Sequence, residues 1–399
     1  MMNFFSQYKG LPTTVYVLAI TRGINSFGSF VFPFLTLYLT SVLGMTKAET
    51  GLALTIISLI PIPGSLLGGY LADTFGRKKV IVYAEAIAIL CLFSCLFFDK
   101  SIGILIPLGL NKLFVSIVRP SLMALITDHT EAKNRGRSFS FVYLLNNIGM
   151  SFGSMMGGFI MAFNPRLLFI GDGLTSLVAL IFVIILAKEI PSLPKEKSKK
   201  EDSLLKHIFK IPSLLLIIFV FTLFSFIYGQ VNFALPLATK EAFKNGAQVF
   251  GTIGSLNGIL VIFLTPLLCR YMDRFHHLIN CSLAGLFYGF GFGILIFFNS
   301  IEGFFISTLF WTIGEILTNT YGETYLATVA PKTHRARFNS LTPLIFGVGG
   351  SLSSLVMGLV SESYGLKVVW ISVFCLGLLG SYILMTLYFK KHEKINVLP

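Results

Sequence analysis

Seven ionisable residues stand inside long apolar runs of this chain: Arg22, Glu85, Lys112, Arg119, Asp172, Glu315 and Glu323. An ionisable side chain at bilayer depth costs on the order of 3 kcal/mol, so each is a functional hypothesis by default. Heights along the helices suggest partners. At ~1.5 Å per residue, Arg22 stands about 13 Å above the start of its run, Arg119 about 13 Å from Asp128, and Glu85 about 9 Å from Lys79. Two ion pairs are open by height: Arg119 with Glu85, and Arg22 with Glu85 or Glu323. Glu315 lies about 12 Å beyond Glu323 and has no basic residue at its depth. It is expected to be the most desolvated acid, and a desolvated carboxyl can hold a proton near neutrality and hand it on. Glu315 is therefore the expected proton carrier, with Glu323 second.

Such residues need spans to hold them. Apolar residues make up 54% of the 399-residue chain and charged residues 12%, and the mean hydropathy is +0.80. A soluble domain carries about 25% charge, so the composition is that of a membrane protein. Apolar runs of about 20 residues cross a bilayer. Twelve are predicted, at 13–40, 48–72, 79–98, 103–128, 138–162, 167–187, 213–237, 247–270, 279–298, 304–330, 339–362 and 367–389. Met1–Pro12 holds a single Lys and no small-residue cleavage pattern follows it, so no removable signal peptide is expected.

The net charge of +13 is an orientation signal. Alternate loops carry Arg77, Lys78 and Lys79; Lys133, Arg135 and Arg137; the lysine-rich stretch after span six; Arg270 and Arg274; Lys332, Arg335 and Arg337; and Lys390, Lys391 and Lys394. The opposite loops hold only Lys47, Lys100, Arg166, Lys240, Lys244 and Lys367. The richer side is cytoplasmic by the positive-inside rule. Both termini and the central loop are then expected in the cytoplasm of a multi-pass plasma-membrane protein, and a nucleic-acid partner is not expected. The five cysteines fall in or at the edge of spans and show no metal or disulfide spacing.

The chain divides once. Residues 1–188 form an expected six-helix bundle, the polar, lysine-rich stretch 189–212 a cytoplasmic linker, and 213–399 a second six-helix bundle. Within the linker, Ser203–Phe209 could form a short helix on the membrane surface. An offset of 200 residues recurs between the halves. It relates Asp73 to Asp273, Arg135 and Arg137 to Arg335 and Arg337, Ser140 to Ser340, Gly149 to Gly349, and Gly158 to Gly358. Parallel six-span repeats are the plan of one large transporter fold.

The segment Gly69-Tyr-Leu-Ala-Asp73-Thr-Phe-Gly76-Arg77-Lys78-Lys79 resembles the signature between helices two and three of the major facilitator superfamily. The resemblance covers the whole chain, and Thr74 replaces the family's usual basic residue. It implies an all-α fold of twelve transmembrane helices in two pseudo-symmetric bundles. It also implies a conformational latch made by Gly69, Asp73, Gly76, Arg77 and Lys78. Asp73 sits where a carboxylate can cap free amides or pair with Arg77. In span five, Gly149, Gly153, Ser154, Gly157 and Gly158 resemble the antiporter motif of drug:proton exporters in this superfamily, with Ser154 in place of its proline. Small residues at that spacing let helix backbones approach closely. The arginine that exporters carry in helix four has no clean counterpart, since Leu110 falls near its position. Asp128 and Glu315 are similar to acids at equivalent places in proton-driven multidrug exporters of Gram-positive bacteria. Asp128 is equally open to a structural role, held by Arg135 or Arg137.

The cargo site is expected between the halves near mid-membrane. Asn25, Asn147, Tyr228, Asn232, Trp311 and Tyr321 are its candidate residues, and Tyr143, Asn146, Gln230, Asn257 and Asn319 lie at suitable depth. An aromatic and apolar lining beside one or two acids suits a lipophilic cation. No phosphate-binding glycine loop and no His/Cys cluster occurs, so no enzyme, metal or cofactor is expected. The expectation is a monomer in membrane lipid that exports a small amphipathic or drug-like compound in exchange for protons. Two rivals stand: a proton-coupled importer of a sugar, organic acid or peptide, and a translocase for lipid or lipid-linked sugar, whose head-group pocket Arg22, Lys112 and Arg119 would suit.

Overall fold

In a computed structural model of the protein, residues 8–98, 102–187, 212–329 and 342–396 are described. Pro212 excepted, the expected linker lies outside them, as do Arg335, Arg337 and Ser340. Each of the twelve expected spans is helical, and the described residues include no β-strand. Nine stretches among the described residues are long and apolar enough to cross a membrane.

The helices of the first half are α1 (Thr13–Gly28), α2 (Leu35–Ser41), α3 (Lys47–Leu59), α4 (Pro61–Phe75), α5 (Arg77–Ser94), α6 (Leu105–Asp128), α7 (Arg135–Phe163) and α8 (Leu167–Leu186). Those of the second half are α9 (Pro212–Tyr228), α10 (Ala234–Ala242), α11 (Gly246–Met272), α12 (His277–Gly293), α13 (Ile301–Leu317), α14 (Glu323–Val329), α15 (Thr342–Tyr364) and α16 (Leu366–Asn396). A π-helical turn, Thr318–Gly322, joins α13 to α14.

The chain forms two compact units. The first comprises Met1–Met45, Ile56–Lys195 and Phe243–Ile259; the second comprises Thr46–Thr55, Glu196–Ala242 and Leu260–Pro399. In the first, α1 packs on α7 and α8, and α5 packs on α6 and α8. In the second, α9 packs on α15 and α16, and α12 packs on α13 and α16. These are the same pairings, one half-chain apart.

Glycines make the close approaches. Gly149 of α7 lies against the Gly23 carbonyl of α1, and Gly349 of α15 lies against the Thr222 carbonyl of α9. In the first unit Gly251 of α11 crosses α7 at Ser154 and Gly158. In the second unit Gly51 of α3 crosses α15 at Ser354 and Gly358. Both crossings lack room for a Cβ, which is the packing that small residues permit in membranes.

Candidate functional site

Span one is broken. The sequence pattern predicts one helix over 13–40, but α1 stops at Gly28 and α2 starts at Leu35. The cause is local. Pro33 lacks an amide hydrogen and clashes with the carbonyl four residues back, which disfavours a continuous helix. Ser29, at φ −70° and ψ 69°, turns the chain tightly, and the Phe30 amide donates to the Gly28 carbonyl at 2.7 Å. Gly28 itself abuts the Thr175 side chain so closely that no Cβ fits. A break inside a membrane leaves backbone amides to be satisfied. Asp172 of α8 takes one, accepting from the Val31 amide at 3.3 Å.

The break borders a cavity of about 250 Å³ inside the first unit. Four charged residues line it: Arg22 on α1, Glu85 on α5, Lys112 on α6 and Asp172 on α8. Glu85 and Asp172 are buried, 4% and 6% exposed, so neither charge is met by bulk water. Asn25, three residues after Arg22 and on its face, donates from Nδ2 to Glu85 Oε1 at 2.8 Å. The Lys112 ammonium sits 3.7 Å from the centre of the Phe32 ring, a cation–π contact, with Asp172 in electrostatic reach. Arg22 feels Glu85, Arg119 and Lys112. Arg119 itself is exposed.

Of the pairs read from height, Arg22 and Glu85 share the cavity, while the hydrogen bond to Glu85 comes from Asn25. Arg119 lies in electrostatic reach of Arg22, a like charge. Sequence reasoning named Lys112 and Asp172 as intramembrane charges without assigning either a partner. The signal for Asp172 was the break it caps, marked by Gly28 and Pro33.

The other candidates lie elsewhere. Glu315 is half-buried on α13, within electrostatic reach of Tyr288, and Glu323 opens α14 after the π turn. Glu315 is not among the described residues lining the cavity. Asp128 is ion-paired with Arg77, whose Nη1 also donates to the Ala124 carbonyl at 3.0 Å. Arg137 instead donates to the Lys9 carbonyl and to Asn134.

In the charged turn, Lys78 caps α8 by donating to the carbonyls of Ile184 and Ala187 at 2.8 and 2.7 Å. Gly76 adopts φ +93° between α4 and α5, a conformation that favours glycine. Asp73 is exposed near the end of α4, and Gly69 has open space around it.

Gly149 and Gly153 face α1, Gly157 faces Phe34, and Gly158 faces α11. Asn147 is buried and donates to the Tyr143 carbonyl at 2.9 Å. Trp311 is 1% exposed, stacks on Phe292 and touches Tyr228 edge-on, a packing position. Asn232 is exposed beyond α9. Tyr321, on the π turn, donates its hydroxyl to Asp273 Oδ1 at 2.7 Å. That bond ties the middle of span ten to the second charged turn.

Similarity to known proteins agrees with this architecture. The chain is 26% identical over 312 residues to the MFS-type transporter YqjV of Bacillus subtilis, covering 76% of this chain and 75% of that protein. It is 23% identical to the multidrug resistance protein MdtH of Aeromonas hydrophila, over 93% of this chain and 94% of that one. It is 22% identical to a Na(+), Li(+), K(+)/H(+) antiporter of Planococcus maritimus, over 82% and 84%. Among solved structures, a POT family transporter in complex with a thioalcohol-conjugated peptide superposes with a TM-score of 0.82 at 13% identity, covering 96% of this chain and 99% of that one. The nucleoside transporter NupG superposes at 0.76 and 15% identity, covering 94% and 99%. The profile of the Major Facilitator Superfamily matches residues 18–319 and 231–398. With helices at the twelve expected spans among the described residues, a pairing of helices repeated between two units and a charged cavity among apolar helices, this chain belongs to the Major Facilitator Superfamily of membrane transporters.

Proposed function

We propose that the protein is a proton-coupled secondary transporter that exports a small amphipathic compound by alternating access, in exchange for protons. One observation carries the reading: a membrane-embedded cavity holds two buried carboxyls facing two cations. Carboxyls in that setting can take and release protons as the site is exposed to either side. The names of the distant multidrug and antiporter relatives support exchange. Glu85 joins Glu315 and Glu323 as a proton carrier in this reading. Asp128, held by Arg77, belongs with the latch of Gly69, Asp73, Gly76 and Lys78. The division into bundles at residues 189–212, the cytoplasmic placement of both termini, the plasma membrane and the monomeric state are parts of the same proposal.

A second reading, uptake of cargo together with protons, is favoured by the cations of the cavity. A proton taken up by Glu85 or Asp172 leaves Arg22 and Lys112 less compensated, so an acidic cargo and a proton would bind together.

Proteoliposomes with an imposed pH gradient test both readings. Cargo and protons should move in opposite directions for exchange and in the same direction for uptake, with ethidium and 4-phenylbutyrate as the two probes. Flux should vanish in Glu85→Gln or in Glu315→Gln, and the variant that abolishes it identifies the carrier. Proton flux untouched in both variants would overturn the assignment. Movement of lipid analogues without either soluble probe would favour a translocase.

A further inference from the structure

The acids of the cavity are already engaged and its guanidinium is not. Glu85 accepts from Asn25 at 2.8 Å, and Asp172 accepts from the Val31 amide at 3.3 Å. Lys112 rests over the Phe32 ring. Arg22 presents five N–H donors to the cavity it lines. Among the described residues none gives it a salt bridge or a hydrogen bond; its charged neighbours act from electrostatic reach. A guanidinium at membrane depth without an acceptor is costly, and an anion entering the cavity removes that cost.

The balance of charge points the same way. Within the lining two cations meet two carboxyls, and Arg119, exposed and outside the lining, adds a positive charge in electrostatic reach of Arg22, which an entering anion would offset. Guanidinium geometry matches the paired oxygens of a carboxylate or phosphate. The rest of the lining includes Phe32, Ile89, Leu92, Val115 and Met150, a surface for an apolar body.

We infer that Arg22, assisted by Lys112, is the receptor for an anionic group, a carboxylate or a phosphate, on a cargo whose remainder is apolar. The inference rests on the reading of this cavity as the cargo site. It replaces the lipophilic cation expected from acids alone with an amphipathic acid.

The test uses the full chain in lipid nanodiscs and three probes with one apolar body: 4-phenylbutyrate, 4-phenylbutanol and 4-phenylbutylammonium. By titration calorimetry the acid should bind at least tenfold more tightly than the alcohol, and the ammonium more weakly than either. Arg22→Gln should erase the acid's advantage and leave the alcohol's affinity unchanged, while Arg22→Lys should keep part of the advantage. Where Arg22→Gln does not fold, Lys112→Gln should reduce the same preference by a smaller factor. An acid bound no more tightly than the alcohol, or a preference that survives Arg22→Gln in folded protein, overturns the inference.

Two further arms separate the sources of the anion. Uptake of 4-phenylbutyrate or 4-phenylbutyl phosphate by proteoliposomes marks a soluble acid. Transfer of fluorescent phosphatidic acid, but not of phosphatidylcholine, between leaflets marks a lipid headgroup. The two readings fail separately. Acid preference without any proton flux sinks proton-coupled transport and leaves the anion receptor. Proton-driven transport with no preference for the acid over the alcohol sinks the receptor alone.

Discussion

Replacing Gly149 by alanine should damage both the fold and the cavity, because the obstacle is backbone. A Cβ at Gly149 would meet the Gly23 carbonyl oxygen of α1 at 2.2 Å and the Phe27 amide nitrogen at 2.9 Å, both under the 3.0 Å that real Cβ atoms essentially never breach. Gly153, one turn on, meets the Phe27 carbonyl in the same way. A flexible side chain could swing aside, but a helix backbone cannot, so α1 must back away from α7. The displaced segment, Gly23 to Phe27, adjoins Arg22 and contains Asn25, the two α1 residues facing Glu85. Overpacking of this kind costs about 1–3 kcal/mol, a few degrees of melting temperature in a protein of this size. The matched control is Gly69→Ala. Gly69 lies inside α4 with nothing within 4 Å of its would-be Cβ, so alanine there should stabilise the helix by roughly 0.5–1 kcal/mol. Scanning calorimetry in nanodiscs reads both signs, and titration with 4-phenylbutyrate reads the cavity. A Gly149→Ala protein that melts and binds like the parent would refute the close α1–α7 approach and the positioning of Arg22 that depends on it.

The Arg77–Asp128 pair is 11% and 24% exposed at its side chains, so a double-mutant cycle of Arg77→Gln and Asp128→Asn should return a coupling above about 1 kcal/mol, the ceiling for exposed pairs; denaturation in mixed micelles measures it. Tyr321→Phe removes a hydrogen bond to the Asp273 carboxylate, which is worth roughly 1.5–3 kcal/mol. Hydrogen exchange of the amides in 273–277 should accelerate in that variant, with the protein otherwise folded.

The spans were legible because hydrophobicity over twenty residues is a strong signal, and helices occupy all twelve expected positions. The charges of the site were legible for the same reason: Arg22, Glu85, Lys112 and Asp172 stand out against apolar neighbours. Which of them meet was not legible, because height along an axis says nothing about rotation around it. Arg119 has a suitable height for Glu85, yet Asn25, a neutral residue sharing the face of Arg22, holds that carboxylate. The break after Gly28 was missed because Phe30, Val31 and Phe32 are as apolar as the helices around them. Hydropathy cannot distinguish a helix from an unwound segment whose amides a distant Asp172 satisfies.

The glycines of span five carry a different lesson. Read alone, Gly149 to Gly158 resemble a pattern associated with export. In the structure Ser154 and Gly158 receive Gly251, and two hundred residues on Ser354 and Gly358 receive Gly51 in the same manner. The second crossing belongs to no export signature, yet it has the same residue types at the same spacing and the same lack of room. Close backbone approach therefore accounts for these small residues at both places, and Ser354 repeats the serine that replaces the signature's proline. A feature that both halves need for packing cannot set the direction in which cargo moves. Direction must then be argued from what the halves do not share. Lys112 and Asp172 are such a difference, since the positions two hundred residues on are Thr312 and Ser372. The sign of proton movement that accompanies an acidic cargo through that cavity is the measurement that decides it.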